Sequence, residues 1–167
     1  GVVQAHEQHR LNGSSIGRTP EVCSVHVKCF QNVPNVGDRF GLEVARRFLA
    51  TTCVPAGRDA VGHPNVILMG SILQWADSQS HICGAGFVSS AASVQEAPKE
   101  IFALRGPLSW LSLRRQQIRA PECFGDPGVF AKELFPCEAR RPAGVALVPH
   151  YRDIASPFVN RCRTEGI

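Results

Sequence analysis

Residues 101–109 read Ile-Phe-Ala-Leu-Arg-Gly-Pro-Leu-Ser, a strand, a turn and a helix start run together. The apolar run Ile101–Leu104 suits a strand buried on both faces. Arg105-Gly106 breaks it. Pro107 then stands at the first helical position, where a missing N–H costs nothing and the fixed φ already suits a helix. That helix is expected to reach about Gln117 or Ile118. The same order of signals recurs on either side. Asn65–Met69 runs into Gly70-Ser71, and His81–Cys83 into Gly84-Ala85-Gly86. Glu122–Phe124 runs into Gly125-Asp126-Pro127, where Asp126 is the expected cap of a helix over about 127–134. Upstream, Val22–Phe30 is a strand candidate followed by a turn-rich loop. Asp38 is the expected cap of the next helix, in which Phe40, Val44, Ala45, Phe48 and Leu49 recur at helical spacing. Thr51–Pro55 is a second short strand and Gly144–Val148 a last one.

Uninterrupted apolar strands alternating with helices predict an α/β fold. The expected architecture is an open, mostly parallel, Rossmann-like sheet with helices on both faces and right-handed crossovers. Residues 1–20, polar and Gly/Ser-containing, are expected to form a flexible leader. Residues 21–143 are expected to form the α/β domain, and 144–167 to begin a connection to a second domain.

Composition narrows the function classes. With 167 residues, 44% hydrophobic and 19% charged, the chain suits one packed core rather than disorder. The net charge of +4 is mild. Arg114-Arg115 with Arg119, Arg140-Arg141, and the Arg161–Arg163 end read as solvated faces. No basic stripe interleaved with aromatics argues for nucleic acid. The seven cysteines are odd in number and form no CxxC pair. Cys23, Cys29 and Cys83 lie inside apolar runs, which reads as buried free thiols in a reducing compartment. No apolar stretch reaches the ~18 residues of a membrane span, and no signal peptide opens the chain. A cytoplasmic location is therefore expected, with peripheral association at the inner membrane face left open. His6 and His9 have no ligand partner at metal spacing, so no metal is expected, nor any cofactor.

In open α/β sheets, ligands bind beyond the carboxyl ends of the strands. There the sequence sets Asn35, Gly37 and Asp38; Gly70 and Ser71; Gly84 and Gly86; Arg105; Asp126; and His150, Tyr151 and Asp153. Glycines let backbone amides approach a ligand, and helix N-termini favour anions. Arg105 brings a guanidinium fork for a carboxylate or phosphate. The plainer reading makes each aspartate a helix cap and each glycine a turn. Gly84-x-Gly86-x-x-Ser89 lacks the third glycine and the acidic residue of a dinucleotide site. Ser71 lacks the GxSxG elbow of a serine hydrolase.

Taken in order, six segments resemble the N-terminal half of the polysaccharide pyruvyl transferase family, over about residues 25–153. They are Asn35-Val36-Gly37-Asp38, Gly70-Ser71-Ile72-Leu73, Gly84-Ala85-Gly86-Phe87, Arg105-Gly106-Pro107-Leu108-Ser109, Gly125-Asp126-Pro127 and Pro149-His150-Tyr151-x-Asp153. The resemblance implies one half of a GT-B-like two-domain enzyme. The implied reaction moves the enolpyruvyl group of phosphoenolpyruvate onto two hydroxyls of a sugar, giving a pyruvate ketal and phosphate. The acceptor would be an exopolysaccharide or cell-wall glycan, or a lipid-linked sugar. Asp38, Asp126 and His150 are the implied catalytic residues. Asn35, Gly37, Gly70, Ser71, Gly84, Gly86, Arg105, Tyr151 and Asp153 are the implied substrate-binding residues. The His-Gly-containing loop of the family's second domain has no counterpart here, so half a cleft, inactive alone, is expected, with homodimerisation open. Two other readings are a GT-B-like glycosyltransferase using a nucleotide sugar and a non-catalytic α/β domain that binds a glycan or a partner protein.

Overall fold

The computed structural model describes residues 24–32, 35–136, 146–150 and 152–166. The elements follow in the order β1 (Ser24–Lys28), α1 (Val36–Phe48), β2 (Thr52–Ala56), β3 (Asn65–Ile67), β4 (Ser80–Cys83), β5 (Glu100–Ala103), α2 (Pro107–Arg115), α3 (Ala131–Leu134) and α4 (Pro157–Glu165). All five strands pair in parallel, in the order β2-β1-β3-β4-β5. The fold is thus an open, Rossmann-like α/β sheet. The chain divides into two units between Phe135 and Pro136.

The first unit has a core on each face of the sheet. On one face, Val27, Cys53 and Leu68 pack against Phe40, Val44 and Ala45 of α1. On the other, Ile67 and Ile82 pack with Leu73, Leu104 and Leu113, the last from α2. Helix α2 closes as the chain turns at Gln117, whose φ is +61°. Gln117 N–H donates to Arg114 O and Ile118 N–H to Leu113 O, a Schellman pattern that takes up two end carbonyls. The Arg114 guanidinium lies 4.7 Å from the Trp110 ring centroid, so this part of the basic face is a cation–π contact.

Strand register places Lys28, Asn65 and Ser80 on the α2 face. Their side chains meet Asp77. Lys28 Nζ donates to Asp77 Oδ2 and to Trp75 O, both at 2.7 Å, and the Lys28 side chain is 0% exposed. Asn65 Nδ2 donates to Asp77 Oδ1 at 3.0 Å, and Ser80 Oγ donates to Asn65 Oδ1 at 2.7 Å. Gln79 N–H donates to Asp77 Oδ1 at 2.8 Å. The cluster ties β1, β3 and β4 to the turn before β4. A buried charge is tolerated only where partners of this kind surround it.

The β2–β3 crossover, residues 57–64, contains no helix. Parallel crossovers usually carry one. Val54, on the same face as Lys28 by register, is consequently left exposed.

Several sequence expectations change at element edges. Helix α1 is capped by Asn35, whose side chain accepts from Gly37 and Asp38 N–H; Asp38 lies inside the helix. The Asn65–Met69 strand stops at Ile67, and α2 stops at Arg115. Glu122–Phe124 makes a single bridge, Phe124 to Leu104. The expected 127–134 helix is a 3-10 turn, Pro127–Phe130, running into α3. Residues 146–148 form no strand, and the start of that expected strand lies outside the described residues, as do residues 1–20. β5 is an edge strand, so Phe102 is 51% exposed and stacks on His81 instead of entering a core. Cys83, beside it, is exposed rather than buried; Cys29 and Cys53 are buried, and all three are free thiols. In the second unit, Ser156 Oγ caps α4 by accepting from Val159 N–H, and Gly166 ends it at φ +74°. No helix among the described residues is long and apolar enough to cross a membrane.

Asp77→Ala leaves the Lys28 ammonium buried without a counter-charge. The expected loss is about 3–5 kcal/mol of unfolding free energy in urea, and Lys28→Met with Asp77→Leu should recover part of it. Burial works to raise the Asp77 carboxyl. It is outweighed by hydrogen bonds from Lys28, the Gln79 amide and Asn65 and by the Lys28 charge, so the group titrates below its ordinary value. Its contribution is therefore full above the unfolded pKa of about 3.9 and is lost as pH falls through the lower folded value. Urea midpoints should drop on that acid limb, and Asp77→Asn should flatten it.

Candidate functional site

The carboxyl edge is built by three successive strand ends that hydrogen-bond to one another. β3 turns at Gly70 (φ +86°) and β4 at Gly84 (φ +104°), both in the left-handed region that favours glycine. Gly86 N–H donates to Gly70 O, and Leu73 N–H donates back to Gly86 O, each at 3.0 Å. Arg105 N–H donates to Ala85 O at 3.0 Å, and Gly125 N–H to Leu104 O at 2.9 Å. Gly70, Ser71, Gly84, Gly86, Arg105 and Gly125 are thus brought into one layer. At Gly84 a methyl group would run into Pro127 Cδ and lie 2.9 Å from Leu68 O. Its missing side chain is what lets the Gly125-Asp126-Pro127 turn close against the β4 end.

Arg105 reaches from the β5 end across the β4 loop to the β3 end. Its Nη2 donates to Ser71 Oγ at 3.0 Å. A Cβ on Gly86 would sit 3.1 Å from its Nε and Nη2. The guanidinium therefore lies against bare backbone. It is exposed, and among the described residues no carboxylate pairs with it. The next residue, Gly106, is the N-cap of α2 and supplies no side-chain cap.

The other predicted residues fall into separate groups. Asn35, Gly37 and Asp38 follow β1, the neighbour of β3 in the sheet. Asn35 Oδ1 accepts from Gly37 N–H at 2.8 Å, and Asp38 Oδ1 accepts from Phe30 N–H at 2.9 Å. Asp126 Oδ1 accepts from Gly128 N–H at 2.8 Å. Each carboxylate therefore commits one oxygen to its own loop, and the second makes no hydrogen bond among the described residues. His150 and Asp153 belong to the second unit, where His150 is exposed and its Nδ1 accepts from Arg152 N–H at 3.3 Å. Tyr151 lies outside the described residues.

Two contributors had no role assigned from the sequence. Ser109 Oγ accepts from Phe87 N–H at 3.2 Å and pins the loop after β4 to α2. Gln74 Nε2 donates to Ser71 O at 2.9 Å and braces the turn that carries the hydroxyl beneath Arg105. Ser109 stands in the first turn of a Pro-started helix, a position with many local explanations, and its partner is 22 residues away. Chemically, the edge offers a cation and two half-used carboxylates, a set suited to an anionic ligand and to proton transfer beside it. No group of three or more His, Cys, Asp or Glu side chains gathers at metal spacing among the described residues. Comparison with family models, curated proteins and solved structures finds no match to this chain.

Gly84→Ala forces a Cβ into both the positive φ and the Pro127 contact. It should cost about 2–4 kcal/mol of stability, read from the shift in urea midpoint, whereas Gly106→Ala, which meets open space, should cost under about 1 kcal/mol.

Proposed function

We propose that this chain is a polysaccharide-pyruvyl-transferase-related domain whose carboxyl edge binds phosphoenolpyruvate. The observation that carries the reading is Arg105, exposed, with no carboxylate partner among the described residues, and held on Ser71 over the bare backbone of Gly86. Phosphoenolpyruvate presents a phosphate and a carboxylate, and a guanidinium fork suits either group. Ser71, Gly70, Gly84 and Gly86 shape the floor of this site.

In this reading the acceptor is a glycan or a lipid-linked sugar, held with the enzyme at the inner membrane face. One sugar hydroxyl adds to C2 of phosphoenolpyruvate while C3 takes a proton and becomes a methyl group. The second hydroxyl then displaces phosphate from C2, closing the ketal. The first step needs a general acid for C3 and a general base for the hydroxyl proton. Asp38 and Asp126, each with one oxygen that makes no hydrogen bond among the described residues, are the groups assigned to that traffic, and Asn35 and Gly37 are assigned to acceptor binding.

Titration of the protein with phosphoenolpyruvate, followed by amide NMR, should shift residues 84–87, 105–106 and 70–71. Arg105→Ala should weaken binding by about tenfold to a hundredfold, and Arg105→Lys by less, since it keeps the charge and loses the fork. Unchanged affinity in Arg105→Ala would overturn the assignment. Shifts with a nucleotide sugar but none with phosphoenolpyruvate would favour a glycosyltransferase instead.

A further inference from the structure

The helix missing from the β2–β3 crossover leaves a depression on the α2 face of the sheet. It has a volume of about 690 Å³, within the ~300–1,000 Å³ usual for small-ligand sites. Arg58 and Asp59 line it from the crossover, Gln74 and Trp75 from the turn after β3, and Gln95 and Glu96 from the loop before β5. Arg105 is not part of it.

The chemistry of this lining selects among ligand classes. Arg58 brings one positive charge; Asp59 and Glu96 bring two negative ones. The Asp77 carboxylate at the rim is already committed to Lys28. An anion would face two carboxylates against one guanidinium. A polyamine, which only donates, would leave Arg58 opposing it. A neutral hydroxyl both donates and accepts, so it can satisfy guanidinium, carboxylate and amide alike. The half-buried Trp75 adds apolar surface for the C–H face of a ring. Gln74 is held in this lining by its own amide, whose Nε2 donates to Ser71 O. The side chains of Arg58, Asp59 and Gln95 make no hydrogen bond or ion pair among the described residues.

We propose that this depression is a binding site for a neutral saccharide. The proposal does not depend on the phosphoenolpyruvate reading, and the two sites report on different residues. The test is an amide NMR titration with neutral gluco-, galacto- and manno-trisaccharides, with spermidine and phosphoenolpyruvate as controls. At least one trisaccharide should give saturable shifts at residues 58–62, 74–78 and 95–96, with millimolar affinity. Arg58→Ala and Gln95→Ala, both at exposed positions outside the core, should each weaken it by about threefold to tenfold. The proposal is overturned if no trisaccharide shifts these amides, if the shifts lie elsewhere, if both variants bind as the parent does, or if spermidine or phosphoenolpyruvate occupies the depression instead. Failure here with intact phosphoenolpyruvate binding at Arg105 would leave the donor assignment standing, and the converse result would remove the donor and keep the saccharide site.

Discussion

A lysine ammonium sealed inside a parallel sheet is a demanding constraint, and the structure of this protein is arranged around meeting it. Lys28 ends β1, and the two hydrogen bonds that its ammonium group makes among the described residues lead to the turn before β4, one to Asp77 and one to the Trp75 carbonyl. Asp77 in turn is held by Asn65, Ser80 and the Gln79 amide. Three central strands and one turn are therefore fixed by one charge pair and its satellites. Apolar packing alone would tolerate small slips between such short strands. A polar cluster with every carboxylate oxygen engaged does not, because each slip would strand a charge in a dry interior.

That fixed register determines what appears at the other end of the strands. With β1, β3 and β4 locked, Gly70 and Gly86 fall close enough to exchange backbone hydrogen bonds through Leu73, and Arg105 on β5 comes within reach of Ser71. The two proposed sites share this frame. Gln74 belongs to both, bracing Ser71 with its amide nitrogen and lining the crossover depression.

Much of this was legible in the sequence where the cause is local. Pro107 marks a helix start because its ring suits only that position, and it is found there. Gly70 and Gly84 sit where strands end because positive φ is needed for the turn. What was not legible depends on partners far away. A lysine at a strand end reads as solvated, and nothing near Lys28 announces an aspartate 49 residues on. Asp38 was the expected cap of α1, and Asn35 takes that place. The choice fell on Asn35 because the Asp38 carboxylate is drawn to the Phe30 amide, in the preceding loop. The run Ile101–Leu104 is apolar enough for a central strand, yet its place at the sheet edge leaves Phe102 in solvent. Edge or centre is a property of strand order, which no single segment encodes. The crossover without a helix is likewise visible only once β2 and β3 are seen to flank β1.

The polar cluster also dictates an order of events in time. Asn65, Asp77 and Ser80 lie within 15 residues of one another and can associate as a local unit. Lys28 must arrive from 49 residues away. Until it does, the Asp77 carboxylate keeps its water, and β3 and β4 cannot become dry. The docking of β1 and the expulsion of water from the sheet are thus a single step, and it is a non-local one of the kind that slows folding. The central sheet has no half-dry form to rest in: a chain that has not yet brought its lysine home still carries its solvent inside.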